Sequence, residues 1–178
     1  MNWNEETTMA QNQKQHEDVQ KLRDLIKGIK IAMLTTVDED GSLRSRPMGT
    51  QTEDFDGHYL WFFTSATSPK VQEVQRERQV NVSYADAGGN RFVSVSGRAL
   101  LVRDRKTMEK YWDVVLKAWF PDGLETPDIA LLQVSVDKAE YWDGPSNRLV
   151  VLAGFLKAIA TGERYEGGAE NEKIELKK

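Results

Sequence analysis

The sequence predicts a mainly β domain, in which six largely antiparallel strands with peripheral helices form a small barrel or a curled sheet. Three observations predict this fold class. Apolar runs of strand length recur along the chain, turns that carry Asp and Gly separate several of them, and helix-like patterns lie between or beyond the runs. Strands joined by such tight turns pair with their neighbours, so the first strands are expected to form an antiparallel meander.

The elements follow in a simple order. An amphipathic helix is expected from His16, because apolar residues recur on one face until Gly28 helps to end it. A short helix is expected from about Pro69 to Arg76, and two longer ones in RKTMEKYWDVVLKAWF and SNRLVVLAGFLKAIATG. The last of these is mostly apolar along one side, which predicts that it packs against something. The six strand-like runs are IAMLTTV, SLRSRPMGTQT, HYLWFFT, QVNVSYAD, RFVSVSGRALLVRD and IALLQVSVDKAEYWDG.

The composition of the 178 residues is ordinary for a soluble globular protein, with 39% hydrophobic residues and a formal charge of −4. This balance gives no reason to expect nucleic acid or a membrane as partner. The chain has no cysteine, which excludes disulfides, thiolate nucleophiles and zinc-thiolate sites. No signal segment is recognised, so a cytoplasmic protein is expected. We divide the chain into a flexible tail at 1–15, one domain at 16–163 and a polar tail at 164–178.

The stretch WFFTSATSPKVQEV raises a question about Lys70. Ser68 is well placed as an N-cap and Pro69 as the first helical residue, which puts Lys70 in the first turn, where a cation opposes the helix dipole. An anion bound at this helix end would remove the conflict, and Thr64, Ser65, Thr67 and Ser68 would add hydroxyl donors. The alternative is an ordinary capped helix with a solvent-facing lysine.

A second basic cluster lies in SLRSRPMG. Strand alternation puts Arg44, Arg46 and Met48 on one face, with the two guanidiniums about 6 to 7 Å apart along the strand. Pro47 cannot donate to a neighbouring strand, so an edge or a bulge is expected there. Because this strand is the meander partner of HYLWFFT, Arg44 or Arg46 could converge with Lys70 on one anion. The alternative is a pair of exposed arginines near a hairpin.

The remaining chemical candidates point to no further site. His16 and His58 are far apart in sequence, and neither lies at metal-ligand spacing from a carboxylate, so no metal site is expected. The acidic turns DEDG and DFDG are interpreted as hairpin turns. Trp112, Trp119 and Phe120 are interpreted as core or dimer-interface residues in preference to a stacking platform for a ring.

Four segments together resemble a known family. The segments IAMLTTVDEDGSLRSRPM, WFFTSATSPKV, a strand ending in VSG, and YWDG resemble the FMN-binding split-barrel proteins related to pyridoxamine phosphate oxidase, most closely their general stress protein branch. The resemblance covers roughly Leu22 to Ala160. It implies a six-stranded antiparallel split β-barrel that forms a homodimer and binds two FMN molecules at the subunit interface.

The resemblance also implies which residues contact the cofactor. The strand residues Arg46, Pro47 and Met48 would lie beside the flavin ring, and Arg46 would also reach the phosphate. Thr64 and Ser65 would lie under the ribityl phosphate, which Ser68 and Lys70 would clamp. The partner subunit would offer the segment with Ser94, Ser96 and Gly97, and Trp142 would lie near the ring. Pro69 stands where the oxidase often has a basic residue. With Arg44 from the basic cluster, the predicted set is Arg44, Arg46, Pro47, Met48, Thr64, Ser65, Ser68, Lys70, Ser94, Ser96, Gly97 and Trp142.

The implied activity is that of an FMN-dependent oxidoreductase acting on an unknown small acceptor. The chain lacks the Arg-Leu-His-Asp-Arg type stretch with which the true oxidase holds its substrate, so it is not expected to be a pyridoxamine phosphate oxidase. No catalytic residue is assigned, because none is an obvious general acid or base. The alternatives are a flavin storage or sensing module without turnover, a barrel for another cofactor such as a deazaflavin, and a dimer without ligand. Haem is disfavoured by the absence of cysteine and by the two poorly placed histidines.

Overall fold

Seven strands form one sheet in the computed structural model, which describes residues 3–51, 55–146, 148–162, 164 and 169–176. The strands are β1 Ile31–Val37, β2 Leu43–Gly49, β3 Tyr59–Ser65, β4 Gln79–Asp86, β5 Arg91–Val102, β6 Ile129–Asp143 and β7 Glu170–Glu175. The α-helices are α1 Trp3–Ile26, α2 Pro69–Arg76, α3 Arg105–Tyr111 and α4 Arg148–Thr161, and two short 3-10 helices span Val114–Ala118 and Gly123–Glu125.

The strand order is β2-β1-β4-β5-β6-β3, with β7 on the other half of β6, and every pairing is antiparallel. The long strand β6 makes this possible, because β3 pairs with residues 129–135 and β7 with residues 138–143 while β5 runs along its other edge. The two ends of the path, β2 and β3, approach each other without pairing. The result is a half-barrel with helices, which confirms the predicted split-barrel fold class.

A β-bulge lies in β6 at Asp137, because Ser96 and Gly97 of β5 pair with Lys138 and Val136 and the register shifts between them. A Cβ atom on Gly97 would lie 2.2 Å from the main-chain oxygen of Ser135. Glycine is therefore required here by the close approach of two backbones, whatever else this residue does.

The sheet has an apolar inner face and a mixed outer face, as residue alternation demands. One inner cross-strand row joins β1, β4, β5, β6 and β7 and is completely buried; it consists of Leu34, Val82, Val95, Ala139 and Ile174. Apolar residues of α1 and α2, including Leu22, Ile26, Val71 and Val74, complete this core. Both helices are thus held against the side of the sheet that Leu34 occupies.

Two elements extend into segments that the sequence analysis treated as tails. The first helix begins at Trp3 and runs through the predicted boundary at 15, and β7 forms within the predicted polar tail. A seventh strand therefore joins the six that were expected. Periodicity indicated neither the N-terminal part of α1 nor β7, because α1 is mostly polar before Val19 and β7 buries only Ile174. Residues 1, 2, 165–168, 177 and 178 of the predicted tails, and residues 52–54, 147 and 163 of the predicted domain, lie outside the described residues.

The prediction of a single helix in RKTMEKYWDVVLKAWF is wrong, because α3 ends at Tyr111. Asp113 has an extended backbone, and its carboxylate accepts the N–H of Val115, which starts a separate 3-10 helix. Val115 is consequently exposed rather than part of the apolar side. The core interpretation of Trp112 holds, since its ring centroid lies 5.5 Å from that of Phe63.

The last helix, α4, is only partly covered. Four apolar side chains, Leu152, Phe155, Leu156 and Ile159, remain between 49% and 78% exposed. The packing that the sequence predicts for this helix is therefore incomplete within the described part of the chain. Among the described residues, no helix is long and apolar enough to cross a membrane.

Candidate functional site

The N-terminus of α2 is the centre of the candidate site. Ser68 occupies the N-cap position and Pro69 the first helical position, as the sequence predicts. The Ser68 hydroxyl nevertheless caps no helical N–H, because it donates instead to the main-chain oxygen of Ser65 at 2.8 Å. The helix therefore begins without a side-chain cap, and an anion could meet the positive end of its dipole.

A buried carboxylate, Glu73, lies among the predicted basic residues. It is 2% exposed, and its Oε2 accepts a hydrogen bond from Arg46 Nη2 at 2.6 Å. The Thr36 hydroxyl donates to the same oxygen and accepts from Arg46 Nη1. Arg44 lies farther out, with its Nη1 3.6 Å from Glu73 Oε1 and 3.5 Å from Asp38 Oδ2. Arg44 and Arg46 thus share one face of β2, as predicted, and both approach the same carboxylate.

Lys70 belongs to this cluster. Its side chain is half-buried, and burial is the main reason why the pKa of its ammonium group is lowered. The charge of Arg46 lowers that pKa further, whereas Glu73 opposes both effects. The cations Arg44, Arg46 and Lys70 outnumber the carboxylates Asp38 and Glu73 by one. This arrangement favours the anion-site interpretation of Lys70 over that of a solvent-facing lysine.

The hydroxyl-rich loop before α2 is held by a second carboxylate. Ser65 Oγ and Thr67 Oγ1 both donate to Asp128 Oδ2, the latter at 3.2 Å. These two bonds, that from Ser65 above all, lower the pKa of Asp128 below its usual value. Thr64 is buried, and its Oγ1 lies 3.3 Å from Ser68 Oγ. Ser65 and Thr67 are therefore committed to Asp128, which leaves Ser68 as the hydroxyl nearest to the start of α2.

The outer face of the sheet carries the other predicted contacts. Ser94 and Ser96 lie there on β5, and Ser94 Oγ accepts a hydrogen bond from Asn81 Nδ2 at 2.8 Å. Phe92 and Trp142 are directly opposite one another on β5 and β6, and both are partly exposed. A shallow cavity of about 210 Å³ adjoins the serines, and its walls are Lys138, Glu140, Lys173 and Glu175.

The sheet separates the predicted cofactor contacts into two sets. Pro47, Met33, Ser83 and Ser94 are successive cross-strand partners on the outer face, and the next row, which contains Arg46, is on the inner face. The inner set, beside α2, is Arg44, Arg46, Met48, Thr64, Ser68 and Lys70. The outer set is Pro47, Ser94, Ser96 and Trp142. Ser65 is tied to Asp128, and Gly97 is buried against β6. One chain does not bring the two sets together.

Sequence reasoning missed three residues of the inner cluster. Glu73 lies between two core residues of a short amphipathic helix, Val71 and Val74, and a carboxylate in such a stripe signals a buried partner. Thr36 is a buried threonine at the end of an apolar strand. Asp128 precedes β6, and its contact with Ser65 depends on the pairing of β3 with β6, which no local pattern reveals.

The two histidines approach one another more closely than their sequence separation indicates. His16 and His58 line one cavity of about 430 Å³ together with Asp56. Within the ranges that the structure describes, however, no group of three or more His, Asp or Glu side chains is placed to hold a metal ion.

Comparisons with known proteins agree with the fold. Residues 17–166 match the sequence model of the family described as pyridoxamine 5'-phosphate oxidase like. The chain belongs to this family. Protein bli-3 of Neurospora crassa is 30% identical over 156 residues, which are 81% of this chain and 75% of that protein. General stress protein 26 of Bacillus subtilis is 29% identical over 123 residues, 67% of this chain and 84% of that protein.

A solved structure extends the comparison. The general stress FMN/FAD binding protein of Xanthomonas citri is similar with a TM-score of 0.62 and 30% identity, and the similarity covers 72% of this chain and 89% of that protein. The family match ends at residue 166, so β7 lies beyond it, whereas the α2 cluster and the outer serines lie within it.

The residues of the inner cluster fit a phosphate group. Arg46 and Lys70 supply two cationic donors, Ser68 supplies a hydroxyl, and α2 supplies a helix end without a side-chain cap. The carboxylate of Glu73 is turned into the core beside Val71 and Val74 rather than lying exposed at the helix end. The donor set therefore suits a phosphate monoester.

Removing the charge of Arg46 should raise the pKa of Lys70. We expect the Arg46→Met variant to show this shift because the repulsion between the two cations disappears and Glu73 loses its stronger partner. The measurement is a pH titration of the lysine ¹³Cε resonances, with Lys70 assigned by substitution. Arg76→Met, which removes an exposed charge at the other end of α2, is the matched control and should leave Lys70 unchanged. An unchanged pKa of Lys70 in both variants would show that Arg46 and Lys70 do not converge.

Proposed function

We propose that this protein is a homodimer that binds FMN, with the phosphate at the N-terminus of α2. It acts as an oxidoreductase through the bound FMN. The observation that carries the proposal is the meeting of Arg46 and Lys70 beside an N-terminus that lacks a side-chain cap. Two half-buried cations at one helix end repel one another, and a dianionic phosphate would stabilise both. A cytoplasmic location stays a prediction.

Each residue of the inner cluster has its own part in holding the phosphate. Arg46 presents a planar set of N–H donors, which suits two phosphate oxygens at once. Lys70 adds a compact charge, and the Ser68 hydroxyl can turn from the Ser65 oxygen towards the ligand. Backbone N–H groups at the start of α2 add neutral donors. Met48, on the same strand, is buried in the core and helps to hold that strand in place.

The separation of the two sets of contacts supports the proposed homodimer. Arg46 and Ser94 lie on opposite faces of one continuous sheet, so a single ligand can reach both only if they come from different chains. The outer face is suited to such a role, because Ile31, Met33, Leu43, Phe92 and Trp142 leave apolar surface exposed around its serines. Two identical chains related by a twofold axis would form two such sites.

FMN would supply the redox chemistry, since it accepts and donates electron pairs. The chain's own residues would hold the phosphate and orient the ring, and the exposed Trp142 would exclude water from it. The outer set includes no exposed histidine or other evident acid or base. The reaction we propose is therefore electron transfer from a small reductant to a small acceptor, in which the protein provides position and electrostatics.

Replacing Lys70 should weaken the binding of FMN but not that of riboflavin, which lacks the phosphate. We expect Lys70→Ala to lower FMN affinity by about 1 to 3 kcal/mol, because a charge-assisted contact is lost. Dissociation constants can be measured from the change in flavin fluorescence on binding.

Lys106→Ala is the matched control for this measurement. Lys106 is the second residue of α3, as Lys70 is of α2, but it is exposed. Its replacement should leave the affinities of both ligands unchanged. Equal FMN affinity in Lys70→Ala and the wild type would remove Lys70 from the phosphate site, and a wild type that retains neither flavin would overturn the proposed function.

Mixed dimers test whether each flavin contacts two chains. We expect Arg46→Met and Ser94→Tyr each to abolish tight FMN binding in their own homodimers, the first at the phosphate and the second by filling the outer groove. A mixed dimer of the two variants would carry one site with both defects and one site with neither.

The expected result for the mixed dimer, purified through two different affinity tags, is therefore tight binding of about one FMN per dimer. If both sets of contacts belonged to one chain, every site in the mixed dimer would carry a defect, and no tight binding would return.

Turnover distinguishes an oxidoreductase from a storage or sensing module. We expect NADH or NADPH to reduce the bound flavin, and at least one small acceptor from a panel to reoxidise it faster than it reoxidises the same concentration of free FMN. The absorbance of the flavin near its longest-wavelength band follows both steps. Reoxidation no faster than that of free FMN with every acceptor would favour storage or sensing.

A further inference from the structure

Glu73 is the most deeply buried charged residue among those described, and no step of the proposed function uses it. It is 2% exposed and projects from the core side of α2. Burying a carboxylate is costly unless it is paired and hydrogen-bonded, so its surroundings should explain it. Both of its oxygens face groups of the neighbouring strands, and the partners come from β1 and β2.

The contacts of Glu73 form a closed triangle with Thr36 and Arg46. Glu73 Oε2 accepts from Arg46 Nη2 at 2.6 Å and from the Thr36 hydroxyl. The same hydroxyl accepts from Arg46 Nη1. Thr36 is as deeply buried as Glu73, whereas the Arg46 side chain keeps 17% of its surface exposed. The guanidinium is therefore held from its buried side.

The triangle uses only part of the donor capacity of Arg46. A guanidinium has five N–H groups, and two of them, one on each Nη, meet Thr36 and Glu73. Within the described part of the chain, no further hydrogen bond from this guanidinium is found. The Nε–H and one N–H on each Nη thus have no hydrogen-bond partner among the described residues, and Nε–H with a neighbouring Nη N–H matches the spacing of two phosphate oxygens.

We propose that Glu73, together with Thr36, is the positioning residue that fixes Arg46 for phosphate recognition. This inference rests on the proposed function and deepens it. Arginine has a long flexible side chain, and β2 is an edge strand that pairs only with β1 in the described sheet. Holding the guanidinium in advance removes the entropy cost of ordering it when the ligand binds.

Glu73 has a second effect on the same site. Arg46 and Lys70 repel one another, and the carboxylate opposes the fall in the pKa of Lys70. It thereby favours the charged form of Lys70 beside Arg46 in a partly buried place. Arg44, 3.6 Å from Glu73 Oε1, is drawn to the same carboxylate from the rim.

The test compares FMN with riboflavin in variants of the triangle. Glu73→Ala should raise the dissociation constant of FMN about tenfold or more, because Arg46 loses its charged partner, and leave that of riboflavin unchanged. Glu73→Gln keeps an oxygen that can accept from Arg46 and Thr36, so it should restore most of the preference for FMN. Glu77→Gln, an exposed residue one turn further along, is the matched control and should behave as the wild type.

A merely structural Glu73 would change stability without changing the ratio of the two dissociation constants. A wild-type ratio in folded Glu73→Ala, or a tighter binding of FMN, would overturn the inference; the second result would mean that Glu73 competes with the phosphate. If Glu73→Ala does not fold, Thr36→Val decides, because it frees Nη1 without a change in charge. Thr36→Val should weaken FMN selectively, by about threefold, and an unchanged ratio would overturn the inference.

Failure of the inference is separable from failure of the proposed function. A wild type that prefers FMN to riboflavin, with variants that keep that preference, removes only the role of Glu73. A wild type that shows no preference removes the phosphate site itself.

Discussion

The alternation of side chains along a continuous sheet is the constraint on which the candidate site depends. From β2 through β1 and β4 to β5, the register runs without a break across the rows that contain Arg46 and Ser94. A shift of one residue in any pairing would move a whole strand's side chains to the other face and expose part of the core. The bulge lies in β6 at Asp137 and affects only the pairing of β5 with β6 beyond Ser96. The core therefore fixes which predicted contacts lie inside and which lie outside.

The ion pair between Arg46 and Glu73 connects this sheet to the helix that begins the anion site. The edge strand β2 would otherwise be held to the rest of the domain mainly through β1, and α2 mainly through its buried valines. A buried ion pair adds little net stability, because desolvation offsets most of the attraction, but loss of one partner leaves an unpaired charge and is strongly destabilising. The pair thus selects one relative position of strand and helix more than it stabilises the fold. The same position brings Arg46 and Lys70 into one electrostatic environment.

Much of the fold could be predicted from local patterns, and the bounds of β1, α2 and β4 agree with the predicted segments residue by residue. Asp and Gly turns, strand alternation and the Ser-Pro helix start are short-range signals, so they can be recognised in a single sequence. The break after Tyr111 depended on one side chain, that of Asp113, which accepts a backbone N–H in place of helix continuation. The strand β7 could not be predicted locally, because it pairs with the part of β6 that extends beyond the residues paired with β3.

The candidate site could be predicted only as a set of donors. The sequence indicates Arg44, Arg46 and Lys70, because the local pattern places each cation without an acidic partner. It does not indicate the carboxylates nearby, since Glu73 reaches the arginines, and Asp128 the hydroxyls of Ser65 and Thr67, only through strand and helix packing. The division into two faces also required the strand order, because Ser94 and Arg46 are separated by two intervening strands.

A carboxylate inside an anion site presents a conflict that the geometry resolves. Three cations close together in a partly buried place would repel one another in the free protein, and the repulsion would expel Lys70 or lower its charge. A carboxylate at the ligand's own position would relieve this but would repel the phosphate. Glu73 is on the other side of the guanidinium, turned towards Val71, Val74 and the core. Its negative charge offsets that of the cations from the buried side, so their solvent-facing side stays positive. The free protein can therefore hold the cluster together, and the net positive charge remains on the side from which an anion would approach.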